Sequence, residues 1–332
     1  MLKVIDDEKL IARYARLFTK SFRPFVDEKI RVKLGHQGAS FGAKVAWSKK
    51  LGIWIFSQAT RNVRYWNAFG RGKPPASGQL PITAEINFPW AGIDRRTGAA
   101  FAQDAQKQIY VIHRGIIGGG KKGIGKSLFE ENYRGVWAWM EDGGSLSQVA
   151  VVGLLGSERF ALQAAGFVEK IEKLKLAAFR SPQTSLDFPE VSFAGERVGN
   201  PPSSAPEEET YASDHDLIVS HLASLLARRK WKIGNDEGAE LFILRPASDS
   251  VSALFAVCAD RREKSVLAAA AKLLLQKSDR GGHPRAILVL PEDEANRYSE
   301  TLRRISIEVF GYRLEGERIL FPDLDRAGLD RD

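Results

Sequence analysis

Apolar residues recur with helical spacing in five stretches of the chain, and each stretch predicts an amphipathic helix. In the first stretch Leu10, Tyr14 and Phe18 recur at this spacing, and Asp6 or Asp7 stands where a helix N-cap is expected. The predicted helices span residues 7–22, 160–175, 214–228, 263–276 and 294–310.

Short runs of β-branched and aromatic residues predict strands between these helices. Before residue 180 the predicted strands span residues 43–47, 52–57, 64–69, 82–88, 99–103, 108–113 and 149–155. After residue 212 they span residues 231–233, 240–244, 253–259, 286–290 and 319–321. The first group predicts an α+β domain with a β-rich, mixed sheet and flanking helices. The second group, in the order α-β-β-β-α-β-α-β, predicts a small α/β domain.

Residues 181–212 separate the two groups and are rich in Pro, Ser, Gly and Glu, with few apolar residues. Such a composition buries too little apolar surface to offset the entropy lost on ordering, so it predicts a flexible interdomain linker. We therefore expect a first domain over residues 1–180 and a second over residues 213–332.

The composition is that of a globular protein, since 44% of the 332 residues are hydrophobic and 27% are charged. No apolar run approaches the ~20 residues that a membrane-spanning helix needs, and the acidic start of the chain is unlike a signal peptide. Cys258 is the only cysteine, which excludes an internal disulfide and a cysteine zinc cluster. We expect a cytoplasmic protein with no membrane partner.

Positive charge is concentrated in the first domain. Residues 1–180 hold 29 Lys and Arg against 15 Asp and Glu, whereas residues 181–332 hold 20 against 26. Six of the seven tryptophans also lie in the basic part. A basic, tryptophan-rich domain favours a polyanionic partner, nucleic acid above all, although the same charge also suits a solvated surface.

A glycine- and lysine-rich segment follows the strand predicted at 108–113. Residues 120–127 match the Walker A pattern GxxxxGK[ST], which predicts a site for ATP or GTP. A P-loop leaves a buried strand directly and opens a long helix, whereas here the strand ends several residues earlier and Gly135 stops the helix. The residues of this nucleotide site would be Gly120, Gly125, Lys126 and Ser127.

The same segment is also suited to gripping a nucleic-acid backbone without reading its sequence. Its glycines let backbone amides approach phosphates closely, and its cations neutralise them. Contacts of this kind weaken steeply as salt rises. The cations concerned are Arg114, Lys121, Lys122 and Lys126.

Cations and aromatic rings alternate in residues 61–70. If strand alternation buries Tyr65, then Trp66 faces outward with Arg64, where its ring can stack on an unpaired base. Two further arginines follow Trp90. This pattern predicts nucleic-acid contacts by Arg64, Trp66, Arg95 and Arg96.

Acidic residues and a histidine in the first domain leave a metal-dependent nuclease open as an alternative. Carboxylates that hold Mg²⁺ beside a lysine activate water, although no spacing in this chain selects particular ligands. The candidate catalytic residues are Glu85, Asp104 and His113.

In the second domain Glu240 begins the second predicted strand, and the next strand carries Ala256 and Cys258. The order of elements over residues 213–322, with Glu240 at that place, resembles the restriction-endonuclease-like (PD-(D/E)XK) nuclease fold. In that family the third strand carries Glu-x-Lys, and here Ala256 occupies the Glu position and Cys258 the Lys position. The resemblance therefore implies a catalytically inactive domain with a binding or assembly role and with protein partners. It also implies a setting in restriction, phage defence or DNA processing.

These observations predict a DNA-binding protein that grips the phosphate backbone with the basic Gly/Lys segment. The alternatives are an Mg²⁺-dependent nuclease with its site in the first domain, a P-loop nucleotide-binding protein, and a protein–protein adaptor. If the chain is an enzyme, the sequence favours the nuclease over the NTPase.

Overall fold

The computed structural model comprises two compact units. Unit 1 is formed by residues up to 179 and unit 2 by residues from 214 onward. The described residues are 1–36, 39–75, 79–117, 125–133, 135–179, 214–236, 238–245, 250–280, 282–322 and 324. The linker predicted at 181–212 lies outside them.

Unit 1 is mixed α and β, with two sheets, two long helices and one short helix. Its strands and helices are β1 (Leu2–Val4), α1 (Glu8–Ser21), β2 (Glu28–His36), β3 (Ala39–Ser48), β4 (Ile53–Thr60), β5 (Arg64–Arg71), β6 (Gln79–Leu80), β7 (Ala84–Glu85), β8 (Phe88–Pro89), β9 (Ala99–Gln103), β10 (Ile109–His113), α2 (Lys126–Asn132), β11 (Trp137–Asp142), β12 (Ser145–Leu154) and α3 (Phe160–Phe179).

Helix α1 begins where the sequence predicts it. The Leu10 N–H donates to Asp7 Oδ1 at 2.8 Å, so Asp7 is the N-cap. Ile11, Ala15 and Phe18 are buried and lie on one face at helical spacing. The prediction for this helix is confirmed to within one residue at each end.

A seven-stranded sheet has the order β6-β2-β3-β4-β5-β7, with β8 also paired to β5. The antiparallel pair β2–β3 is its longest, running from Glu28 opposite Trp47 to His36 opposite Ala39. Strand β2 is absent from the sequence-based prediction, and so are β1 and β11. Strand β1 pairs with β9 and β11, which lie far along the chain. Strands β2 and β11 each pair with the strand that directly follows them.

A second sheet closes into a five-stranded barrel in the order β1-β11-β12-β10-β9. Strand β1 completes it, because Leu2 pairs parallel with Met140 of β11 and Lys3 pairs antiparallel with Gln103 of β9. Residues of all five strands form one buried cluster inside, which includes Leu2, Ala102, Tyr110, Met140 and Val149.

The main core of unit 1 joins the helices to both sheets. Phe18 of α1 lies within 5.0–6.2 Å, between ring centroids, of Phe22, Phe69, Phe88 and Phe160. These rings meet edge to face, the geometry that aromatic quadrupoles favour. Helices α1 and α3 are therefore held against the sheets by a continuous aromatic core.

Unit 2 is a single six-stranded mixed sheet with the order β13-β14-β15-β16-β17-β18. The first three strands are antiparallel, β15, β16 and β17 are parallel, and β18 is antiparallel to β17. Its elements are α4 (His215–Arg228), β13 (Lys232–Gly234), β14 (Leu241–Leu244), β15 (Val251–Val257), α5 (Glu263–Asp279), β16 (Arg285–Pro291), α6 (Glu292–Arg303), β17 (Ile307–Glu315) and β18 (Arg318–Leu320).

The helix predicted over 294–310 is wrong in its second half. Helix α6 ends at Arg303, Ser306 adopts a φ of 60°, and the chain continues as β17. Ile307 then pairs parallel with Ala286 of β16. The chain as a whole is a mixed α+β protein, and no helix in its described part is long and apolar enough to cross a membrane.

Candidate functional site

Four cations lie on one face of the β2–β3 hairpin, and we call them the cationic hairpin face. Lys29, Arg31 and Lys33 alternate along β2 and therefore point to the same side of the sheet. Lys44 of β3 stands directly opposite Arg31 and therefore lies on the same face. All four are exposed, and none forms an ion pair with another described residue.

The opposite face of the same hairpin anchors it to the rest of the sheet. Leu34 and Val45 are fully buried there beside Trp47 and Trp54. The register of the hairpin is thus set by its apolar face, since a one-residue slip would move the cations into the core. On β3 the residues opposite the two lysines are small, since Lys29 stands opposite Ala46 and Lys33 opposite Gly42. On its other side Lys33 pairs with Gln79 of β6, and all four cations remain exposed.

This surface is not among the predicted contacts, although the sequence carries a signal for it. Residues 29–34 read Lys-Ile-Arg-Val-Lys-Leu, a strict alternation of cations with apolar residues. Such a pattern is typical of a strand with one solvated face.

A second group of cations surrounds a cavity of about 140 Å³ at the end of the β11–β12 hairpin. Gly143 and Gly144 have φ values of 55° and 81°, which a two-residue hairpin turn of this type requires. Asp142 and Ser145 flank that turn. The main cavity-lining residues are Arg95, Arg114, Lys126, Asp142, Ser145 and Ser147.

Arg114 and Asp142 form a buried ion pair in the wall of this cavity. Arg114 Nη2 donates to Asp142 Oδ2 at 2.8 Å, and their side chains are 9% and 3% exposed. Arg114 is therefore held internally and is not a free surface cation. Arg95 is 58% exposed, and its Nη2 donates to the Asp142 carbonyl at 2.8 Å and to Ser145 Oγ at 3.2 Å.

The other predicted nucleic-acid contacts are dispersed. Arg96 is 94% exposed and pairs with Asp94 rather than lining the cavity. Lys126 lines the cavity and pairs with Glu130 one helical turn away at 3.5 Å. Arg64 is half-buried at the start of β5. Lys121 and Lys122, like Gly120, lie outside the described residues.

The prediction that Trp66 faces solvent is wrong. Trp66 is 7% exposed and its ring packs against Phe56 at 5.1 Å and Phe41 at 5.8 Å. Both faces of β5 are covered. The expectation that one face is buried and the other exposed therefore does not hold for this strand. Tyr65, expected in the core, is half-buried and stacks on Trp90 at 5.1 Å between centroids.

The surroundings of the Walker A match differ from those of a P-loop. Strand β10, which precedes the match, is antiparallel to both β9 and β12. A P-loop instead links a strand to the helix that begins at its end. Helix α2 follows Gly125 and spans only seven residues, including Lys126 and Ser127. The described geometry gives the nucleotide site no support.

Of the three candidate catalytic residues, His113 and Glu85 are neighbours through the Glu85 backbone carbonyl, whereas Asp104 lies apart. His113 ends β10 opposite Ala99, whereas Asp104 lies beyond the other end of this hairpin and accepts the Gln108 N–H at 2.8 Å. Glu85 Oε2 accepts from Asn87 Nδ2 at 2.6 Å. Within the described residues no group of three His, Cys, Asp or Glu side chains is placed to hold a metal ion.

His113 is fully buried and belongs to the framework. Its Nε2 donates to the Glu85 carbonyl at 3.1 Å, and its Nδ1 accepts the Gly115 N–H at 3.1 Å. Burial lowers the pKa of His113 from 6.5 to about 4, with the Arg114 charge acting in the same direction. A ring that is neutral and bonded at both nitrogens links the end of β10 and the residues directly after it to β7.

Glu240 of unit 2 links a helix and two strands. It directly precedes β14, its Oε2 accepts the Val257 N–H at 2.8 Å, and its Oε1 lies 3.3 Å from Lys272 Nζ. His215 Nε2 lies 3.7 Å from Glu240 Oε2 and donates to the Val257 carbonyl at 3.1 Å. Burial raises the pKa of the nearby Cys258 thiol, which favours its protonated form. This cluster is built as a structural junction.

Comparisons of the chain with protein-family models, curated proteins and solved structures find no match. Inference about function therefore depends on the geometry of the chain itself.

Proposed function

We propose that unit 1 binds nucleic acid, namely DNA, by contacts between its cationic hairpin face and the phosphate backbone. The observation that carries the proposal is the position of Arg31 directly opposite Lys44 on an exposed face. Like charges directly opposite one another in a sheet are destabilising. A like-charge pair of this kind, flanked by Lys29 and Lys33, destabilises the free protein. A polyanionic ligand that neutralises these charges removes the repulsion.

Phosphate contact matches the chemistry of this face. Its cations stand on two paired strands, and none of them forms an ion pair with a described carboxylate. Lysine and arginine that neutralise phosphates release condensed counterions, which supplies most of the affinity for a nucleic-acid backbone. No base-reading groups are implied, so the expected binding is insensitive to sequence.

For unit 2 the proposal is a restriction-endonuclease-like fold without catalysis. Supporting this are the antiparallel β13, β14 and β15, the parallel β16 after helix α5, and Glu240 at the start of β14. The Glu and Lys positions of the family's third strand hold Ala256 and Cys258, both buried. A role in assembly within restriction, phage defence or DNA processing follows from that resemblance.

Fluorescence anisotropy of a labelled duplex, titrated with the full chain across a potassium chloride series, tests the binding proposal. Four neutralised phosphates give a slope of about −3.6 in log K against log salt, or roughly a 150-fold loss between 50 and 200 mM. Single-stranded DNA and duplex RNA serve as competitors, and tighter binding to duplex RNA would overturn the choice of DNA. A flat, weak response would overturn the function itself.

The same samples incubated with MgCl₂ separate binding from cleavage. We expect the duplex to stay intact, because the described acidic residues do not converge on a metal site. Mg²⁺-dependent cleavage would instead favour the nuclease.

A further inference from the structure

The cavity beside Arg95 is lined by three cationic side chains. Two guanidinium groups, those of Arg95 and Arg114, share the single carboxylate of Asp142, and the ammonium of Lys126 lies on the same cavity. The carboxylate of Glu130 pairs with Lys126 but is 42% exposed and does not line the cavity. Positive charge is therefore in excess around a space of about 140 Å³.

Its donors are only partly used within the protein. Arg95 Nη2 donates to the Asp142 carbonyl and to Ser145 Oγ, and its Nε lies 3.7 Å from Asp142 Oδ1. Its Nη1 makes no hydrogen bond to a described residue. Arg114 Nε and Asp142 Oδ1 are buried and have no hydrogen-bond partner among the described residues, and because both are closed off from solvent neither reaches a ligand in the cavity. The donor left for a ligand is therefore Arg95 Nη1, on a side chain that is 58% exposed.

Hydrogen bonds position part of the wall. The Arg95 side chain clamps both sides of the β11–β12 turn, through the Asp142 carbonyl and Ser145 Oγ. Arg114 Nη1 makes long hydrogen bonds of 3.4 Å to the carbonyls of Thr97 and Ala99. Donors held in place before the ligand arrives lose little entropy on binding, which favours a small, compact anion.

We propose that this cavity binds one phosphate group of a nucleic-acid strand. Two features support a phosphate: the paired guanidinium groups and the adjacent hydroxyls of Ser145 and Ser147. The assignment to a strand, rather than to free phosphate, rests on the proposed function of unit 1. On this proposal the cavity holds one phosphate in a defined place, whereas the cationic hairpin face holds the backbone loosely.

Isothermal titration of the full chain with inorganic phosphate, and then with a short DNA duplex, tests the proposal. The variants are Arg95→Gln and Lys126→Gln, with Arg61→Gln in the exposed β4–β5 turn as a charge-matched control. We expect the affinity for phosphate to fall at least tenfold in both cavity variants and to stay unchanged in the control. Arg95→Gln removes both a charge and the hydrogen bonds to the β11–β12 turn, whereas Lys126→Gln removes a charge alone. Comparing the two variants separates these effects.

Each outcome is decisive. Equal phosphate affinity in the parent and both cavity variants, or no phosphate binding by the parent, overturns the cavity. Loss of phosphate binding together with a several-fold loss of duplex affinity supports it. Loss of phosphate binding with unchanged duplex affinity overturns the assignment to a strand and leaves a free-phosphate site. Phosphate binding by a parent that binds no duplex also overturns that assignment, and in that case the proposed function fails while the anion cavity stands.

Discussion

Arg114 and Asp142 are joined by a 2.8 Å ion pair although both side chains are almost completely buried. Burying two charges is costly, and the pair repays that cost only while both partners are present. Asp142 is the last residue of β11, and its carboxylate also pairs with Arg95. It therefore connects the β11–β12 hairpin to the segments that carry Arg95 and Arg114.

Removing one partner is therefore expected to destabilise unit 1 strongly. Asp142→Ala leaves the buried Arg114 guanidinium without its counter-ion, and we expect a loss of about 3 kcal/mol in the free energy of unfolding. Urea titration followed by tryptophan fluorescence measures this, since six of the seven tryptophans lie in residues 1–180. The double variant Arg114→Met/Asp142→Leu is expected to lose less than the single variant. A larger loss in the double variant would contradict this account.

The stability of unit 1 is expected to fall as pH falls, through His113. The unfolded ring takes up a proton near pH 6.5, whereas the folded ring does so only near its pKa of about 4. Between these values the unfolded state binds more protons, so the contribution is complete above pH 6.5 and is lost on acidification toward pH 4. We expect about 1 kcal/mol per pH unit in this window, and about 3 kcal/mol in all.

Urea titrations at several pH values between 7.5 and 4.5 measure this dependence. His113→Gln should be less stable at neutral pH and lose the His113 part of the slope. His283→Asn is the control, because His283 is exposed and its φ of 49° is one that asparagine tolerates. An unchanged slope in His113→Gln would show that the ring does not act as described.

Gly70 of β5 is expected to tolerate no side chain. A Cβ at this position would overlap the Trp54 indole, which is 1% exposed and cannot move aside. We expect Gly70→Ala to cost about 1–3 kcal/mol by overpacking. Gly42→Ala is the matched control in the same sheet, since nothing lies within 4 Å of its added Cβ. Thermal unfolding of the two variants compares them, and equal melting temperatures would refute the packing described for β5.

The cationic hairpin face is expected to show opposite effects on stability and on binding. Arg31→Gln/Lys44→Gln removes a cross-strand repulsion, so stability should stay equal or rise by up to about 1 kcal/mol. The same variant should lower the salt slope of DNA binding by about 2, because two cations that neutralise phosphates are replaced. Lys264→Gln/Arg303→Gln in unit 2 makes the same change in net charge as a control. An equal reduction of the slope in the control would assign binding to net charge alone.

Much of the helical structure follows from short-range sequence. The prediction for α1 is confirmed because Asp7, Ile11 and Phe18 act over a few residues of a single helix. The concentration of positive charge in residues 1–180 is likewise a property of composition. Helix α6 shows the limit, because the apolar residues that follow it suit either a helix or a strand, and the strand forms by pairing with β16.

The sequence by itself determined the mixed α+β character of the chain, the positions of most helices and the basic charge of its first part. Only the tertiary structure decided that Trp66 is buried, that Arg114 is paired internally, and that the exposed cations stand on the β2–β3 hairpin. The physical reason is range. Helical hydrogen bonds and caps join residues three or four apart, whereas strand register and the covering of a sheet face depend on segments far along the chain.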